Sequence, residues 1–153
     1  MSKIVDVVKK LIKNNITIAT AESATAGGIA SSIGDVEGAS NILSESYITY
    51  SNDAKNKILG VSFDIIEKYG VVSKNVAKEM VISLKNITKA DICISITGSF
   101  GPTTYENVDI GDVYIGIMYK NKINIYFEKF DGNRLTIKQK TIEKVFEKIS
   151  GLV

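Results

Sequence analysis

Ser23, in Ala21-Glu22-Ser23-Ala24-Thr25-Ala26-Gly27-Gly28, and Lys55, in Tyr50-Ser51-Asn52-Asp53-Ala54-Lys55, are the residues whose types and settings best suit covalent chemistry. The chain contains no histidine. A serine nucleophile here must therefore draw its base from elsewhere, and a lysine amine is the strongest acceptor left. Ser23 follows a β-type run and precedes a glycine-bearing turn, where backbone N–H groups and a helix start can hold a developing oxyanion. The competing reading is that Ser23 or Thr25 simply caps that helix. Lys55 falls near the start of a second helix, where the macrodipole disfavours an ammonium by about 0.3–1 kcal/mol. Partial burial beside Tyr50 would lower its affinity for a proton further. The alternative for Lys55 is a solvated surface lysine in a lysine-rich chain.

Other groups can assist. The Tyr50 hydroxyl is placed to bond the lysine, relay a proton or orient Ser23, or else the ring only packs. Arg134 is the only arginine in the chain, and its forked guanidinium suits a phosphate or carboxylate. Gly98-Ser99-Phe100-Gly101-Pro102 forms a rigid loop that can approach a nucleotide closely, or a plain connecting turn. Glu22 either orients the site electrostatically or favours the adjacent helix start.

These residues need a scaffold. Ile4, Val5, Val7, Val8, Leu11 and Ile12 recur at helical spacing behind a cap at Ser2. A β-type run over 16–21 leads to a helix over 28–33, and a second strand is expected over 43–50, with Ser51-Asn52 capping a helix through Lys55 to Leu59. Val76, Ala77, Met80, Val81 and Leu84 mark another amphipathic helix, followed by a third strand over 90–97. Strands over 111–119 and 123–130 form a hairpin around Lys120-Asn121-Lys122. Leu135, Ile142, Val145, Phe146 and Ile149 mark a last helix. Strands alternating with helices, plus one hairpin, predict an α/β fold with a mixed sheet and helices on both faces. Ser23, Tyr50 and the loop after Gly98 all fall beyond carboxyl ends of strands, where such sheets bind ligands.

Composition narrows the function classes. The chain has 153 residues and a net charge of +2, consistent with a single domain over 1–153 and giving no basis for a nucleic-acid partner. Cys93, the only cysteine, lies in an apolar run and is expected to be a buried structural thiol. No signal-type or membrane-spanning run is present, and together with the lone cysteine this points to a cytoplasmic protein. Without histidine the usual zinc motifs are absent, and no metal or cofactor is expected.

Four segments carry a family resemblance: Ala21-Glu22-Ser23-x-Thr25, Tyr50-Ser51-Asn52-x-Ala54-Lys55-x-x-x-Leu59-Gly60-Val61, Gly70-Val71-Val72-Ser73 and Thr97-Gly98-x-x-Gly101-Pro102. In order and spacing the chain resembles the CinA C-terminal domain family, which includes nicotinamide-nucleotide amidases. The resemblance runs over essentially the whole chain. It implies a three-layer α/β/α sandwich with a mixed, mostly parallel sheet, and hydrolysis of nicotinamide mononucleotide to nicotinic acid mononucleotide and ammonia. It implies catalysis by Ser23, Lys55 and Tyr50, with Glu22, Thr25, Gly27, Thr97, Gly98, Gly101 and Arg134 holding a small nucleotide substrate, in a homo-oligomer (dimer or trimer). Two other functions fit the same residues: a non-catalytic nucleotide-binding or regulatory module, and an amidase for another small carboxamide. The chain departs from the family pattern at Ala24, Ala26, Asp112 and Asn133 and in a short, glycine-poor stretch after Pro102. These departures gather where a nucleotide would be recognised.

Overall fold

A computed structural model describes residues 2–153. Five strands form one sheet in the order β2-β1-β3-β4-β5, built from β1 (Ile18–Glu22), β2 (Tyr47–Ile48), β3 (Ile92–Gly98), β4 (Asp112–Tyr119) and β5 (Lys122–Lys129). β1 pairs in parallel with β2 and β3, while β4 runs antiparallel to both β3 and β5. Four strands therefore share one direction and β4 opposes them, so the sheet is mixed as expected.

Alternation along the strands divides the core in two. Ile18, Ile92, Ile94, Ile96, Val113, Ile115 and Ile117 face α1 (Ser2–Lys13), α2 (Gly28–Gly34) and α6 (Arg134–Leu152). Ala19, Ala21 and Cys93 face α3 (Asn52–Leu59), α4 (Phe63–Tyr69) and α5 (Lys74–Thr88). The result is the three-layer α/β/α arrangement. α5 lies close on the sheet because Gly116 leaves room for it: a Cβ there would come within 2.3 Å of Ser95 Oγ, which itself donates to the Ala77 carbonyl at 2.7 Å. Cys93 is fully buried, and burial pushes its thiol pKa up.

Most expected elements appear, with two main differences. The strand expected over 43–50 contracts to Tyr47–Ile48, because Ser46 Oγ, not a backbone carbonyl, takes the Thr20 N–H at 3.0 Å. α4 was not foreseen; Ser62 caps its start by accepting from Asp64 N–H, and Gly70 ends it. The cap expected at the Ser2 side chain lies outside the described residues. The hairpin turns on Lys120 and Asn121, with φ of 52° and 63°, the left-handed pair that a two-residue connection requires.

Candidate active site

The same strand alternation that splits the core splits two neighbouring residues. Glu22 continues the face that holds Ile18 and Thr20 and points under α2, whereas Ser23, the first residue beyond β1, turns toward α3. Ser23 N–H donates to the Ile96 carbonyl at 3.1 Å, which anchors the residue to β3 as the chain leaves the sheet. The chain then passes through Ala26 (φ 51°) and Gly27 (φ 91°) into α2. Glycine suits the second of these left-handed positions.

α3 delivers the lysine. Ser51 caps it by accepting from Ala54 N–H at 3.0 Å, and Lys55 N–H makes the first helical bond, to the Ser51 carbonyl. The Lys55 side chain runs inward and is 1% exposed. Its Nζ donates to Ser23 Oγ at 3.0 Å and to the Tyr50 backbone carbonyl at 3.3 Å, and that same carbonyl lies 3.4 Å from Ser23 Oγ. Its pKa is lowered to about 8 because burial strips the ammonium of water. The neutral amine carries a lone pair that can receive the Ser23 proton.

Tyr50 acts differently from expectation. Its carbonyl oxygen meets the lysine, while its hydroxyl reaches across the rim to Arg134. An expected hydroxyl contact with Lys55 is thus replaced by a backbone one, because the half-exposed Tyr50 ring lies along the pocket mouth. Arg134, the first residue of α6, also donates to the Gly101 carbonyl at 2.6 Å and so ties the α6 start to the loop after β3.

Two cavities meet at Ser23. One, of about 200 Å³, is lined by Ser23, Ala24, Tyr50, Gly98, Phe100, Gly101, Thr103, Tyr105 and Arg134. The other, of about 240 Å³, adds Ser51, Asn52, Lys55, Val71, Val72 and Thr97 to a shared wall of Ser23, Tyr50, Gly98 and Tyr105. Thr97 also donates from Oγ1 to the Val71 carbonyl at 2.7 Å, which joins the β3 end to the segment before α5.

Glu22, Thr25 and Gly27, expected to hold substrate, line neither cavity. The Glu22 carboxylate accepts four hydrogen bonds, from Thr20 Oγ1, Thr25 Oγ1, Ile29 N–H and Ala30 N–H, at 2.8, 2.7, 2.9 and 3.0 Å. It is a buried cap for α2, and Thr25 serves it. Gly27 supplies the turn, beside Ile48. Tyr105 and Phe100, by contrast, were not singled out as site residues, although the loop after Gly98 was; nothing in their spacing marks them, since they enter through an irregular segment. No group of three or more Cys, Asp or Glu residues able to hold a metal occurs among the described residues. No helix among them is long and apolar enough to cross a membrane.

An α/β sandwich with a buried serine and lysine at the carboxyl ends of its parallel strands defines the class. The model of the CinA C-terminal domain matches residues 2–153, and the chain belongs to that family. A relative from Caldicellulosiruptor saccharolyticus, named for competence-damage inducibility, is 43% identical over 134 residues, 87% of this chain and 33% of the relative. A CinA-like protein of Thermotoga neapolitana is 37% identical over 149 residues, 96% of this chain and 36% of the relative. The chain thus spans about a third of the length of these curated relatives. Among solved structures, a CinA superfamily protein from Escherichia coli superposes with a TM-score of 0.94 at 28% identity, covering 99% of this chain and 88% of the other. A competence/damage inducible protein from Agrobacterium tumefaciens gives a TM-score of 0.91 at 25% identity, covering 98% and 95%.

Proposed function

We propose that this domain is a serine amidase that uses Lys55 as its base and hydrolyses the carboxamide of nicotinamide mononucleotide. The observation that supports this reading is the buried Lys55 amine, 3.0 Å from Ser23 Oγ with no carboxylate bonded to it. A lysine kept there only for stability would be a poor choice, since burial works against its charge.

In the proposed reaction the neutral Lys55 amine takes the Ser23 proton as Oγ attacks the carboxamide carbon. Ala24 lines the cavity next to Ser23, and its amide meets no acceptor among the described residues; it is the candidate donor to the resulting oxyanion. Collapse breaks the C–N bond as the Lys55 ammonium returns its proton to the departing nitrogen, releasing ammonia and leaving an ester on Ser23. Water, deprotonated by Lys55, cleaves the ester to give nicotinic acid mononucleotide and free serine. The Tyr50 carbonyl keeps Nζ aimed at Oγ through the cycle. Arg134 and the Gly98 to Gly101 loop would hold the ribose phosphate, with Arg134 exchanging its Tyr50 partner for phosphate oxygens.

The test is ammonia release from nicotinamide mononucleotide by wild type, Ser23→Ala and Lys55→Ala, with chelator present, alongside a panel of amides with and without phosphate. Release by wild type and its loss in both variants is expected. A folded wild type that binds the nucleotide without releasing ammonia overturns the amidase reading.

A further inference from the structure

The two edges of the sheet are unlike. On one side β2 is only Tyr47–Ile48, too short to recruit another strand, while on the other β5 offers Lys122–Lys129 with a single neighbour, β4. β5 carries neither proline nor bulge to blunt it, and its charges, Lys122, Glu128 and Lys129, stand only at its two ends. The hairpin geometry fixes which of its backbone groups are free. In a two-residue hairpin the flanking residues, here Tyr119 and Lys122, exchange hydrogen bonds, and the Phe130 N–H to Gly111 carbonyl bond at 2.9 Å follows the same register. Even-numbered residues of β5 therefore bond to β4. Ile123, Ile125 and Phe127 present their N–H and C=O groups outward.

We infer that this edge pairs antiparallel with the β5 edge of a second copy of the chain, with Ile125 on the two-fold axis, joining the two sheets into one. The outward groups admit only registers that set odd residues against odd ones. With Ile125 opposite itself, Ile123 falls opposite Phe127, Asn124 opposite Tyr126, and Lys122 opposite Glu128, so each charge pair occurs twice by symmetry. Lys129 falls opposite Asn121 and meets no like charge; within its own chain it bonds Asp109 and Asp112, each at 2.8 Å. Shifting the pairing by two residues in either direction parts Lys122 from Glu128. One face of the joint strand pair carries Ile123, Ile125 and Phe127, and Phe127 is 51% exposed in the single chain, its ring 5.1 Å from that of Tyr114. The opposite face carries Lys122 and Glu128; there Lys148, 4.0 Å from Glu128, sits over the Tyr126 ring. The pairing uses no residue of the Ser23 pocket, so it stands or falls apart from the reaction.

Strand pairing of this length buries a small interface, which places the dissociation constant roughly in the micromolar range. Sedimentation velocity of the wild-type chain from about 1 to about 200 μM spans that range, and a monomer–dimer equilibrium is expected within it. Phe127→Pro removes an outward N–H without touching the β4 ladder, a place where an edge strand tolerates proline; it should stay folded by circular dichroism and sediment as a monomer. Lys122→Glu or Glu128→Lys alone should weaken dimerisation about tenfold, and the two together should restore it. A wild type that stays monomeric throughout overturns the inference. So does a dimer indifferent to the single reversals, or one that the double reversal fails to restore.

Discussion

Glu22 and Lys55 are both 1% exposed and both adjoin Ser23, one through the chain and the other through a hydrogen bond, yet they are solvated in opposite ways. Glu22 has its water replaced in full: two hydroxyls and two helix N–H groups converge on its oxygens. Lys55 has a serine oxygen and one backbone carbonyl, and no anion. A buried charge with all its partners is scaffolding, whereas one left short of partners stores free energy that can be released by moving a proton. The contrast separates the two within one strand end: Glu22 holds the turn, and Lys55 is left suited to the chemistry proposed for it.

The sharpest way to break the comparison is Lys55→Met, which keeps the side chain's volume and removes its charge. Hydrolysis of the amide should fall by about 10²–10⁴-fold, the usual worth of a general base, while the protein becomes more stable. The folded lysine has a pKa lowered to about 8 from 10.5, so below pH 8 the native state carries the full cost of a buried ammonium, about 3 kcal/mol at this scale of shift. Between pH 8 and 10.5 the unfolded chain binds the proton more tightly than the folded one. Wild-type stability should therefore rise with pH across that window, and Lys55→Met should remove the rise. Urea denaturation of both proteins at pH 7 and pH 10 measures it; a variant less stable than wild type at pH 7 would contradict the assignment.

Glu22→Ala should behave in the reverse sense. It orphans two N–H groups at the start of α2 and the hydroxyls of Thr20 and Thr25, and should cost about 3–4 kcal/mol. A denaturation midpoint unchanged from wild type would show that water replaces the carboxylate, and the distinction between the two sites would fail.

The architecture was legible because the apolar periodicities of α1, α5, β3 and the hairpin are long and regular. Ser23 and Lys55 were legible for a different reason: the absence of histidine left few bases, and Lys55 stood at a capped helix start. What escaped had no local signature. A carboxylate that caps a helix and one that touches substrate look alike in Glu22-Ser23, and only the strand's alternation, with Thr20 and Thr25 converging on Glu22, separates them. Tyr50 was singled out by its hydroxyl, yet its carbonyl holds the lysine, and a backbone atom leaves no mark in residue type. The strand near Tyr47 was overextended because Ser46 donates no side-chain pattern to show that its Oγ replaces a ladder bond.

A finer test concerns the pH profile of the reaction. With the neutral amine as the proposed base, kcat should rise as pH passes through about 8, the value to which burial lowers Lys55, and level off above it. Profiles of kcat for wild type and Tyr50→Phe should share this midpoint, because that substitution removes the hydroxyl bonded to Arg134 and leaves the carbonyl bonded to Lys55. The variant's turnover should change only a few-fold, as fits loss of a rim hydrogen bond worth about 1 kcal/mol. A midpoint displaced by Tyr50→Phe would mean that the hydroxyl, not the backbone, governs the lysine, and the poverty of partners that distinguishes Lys55 from Glu22 would have to be redrawn to include the rim.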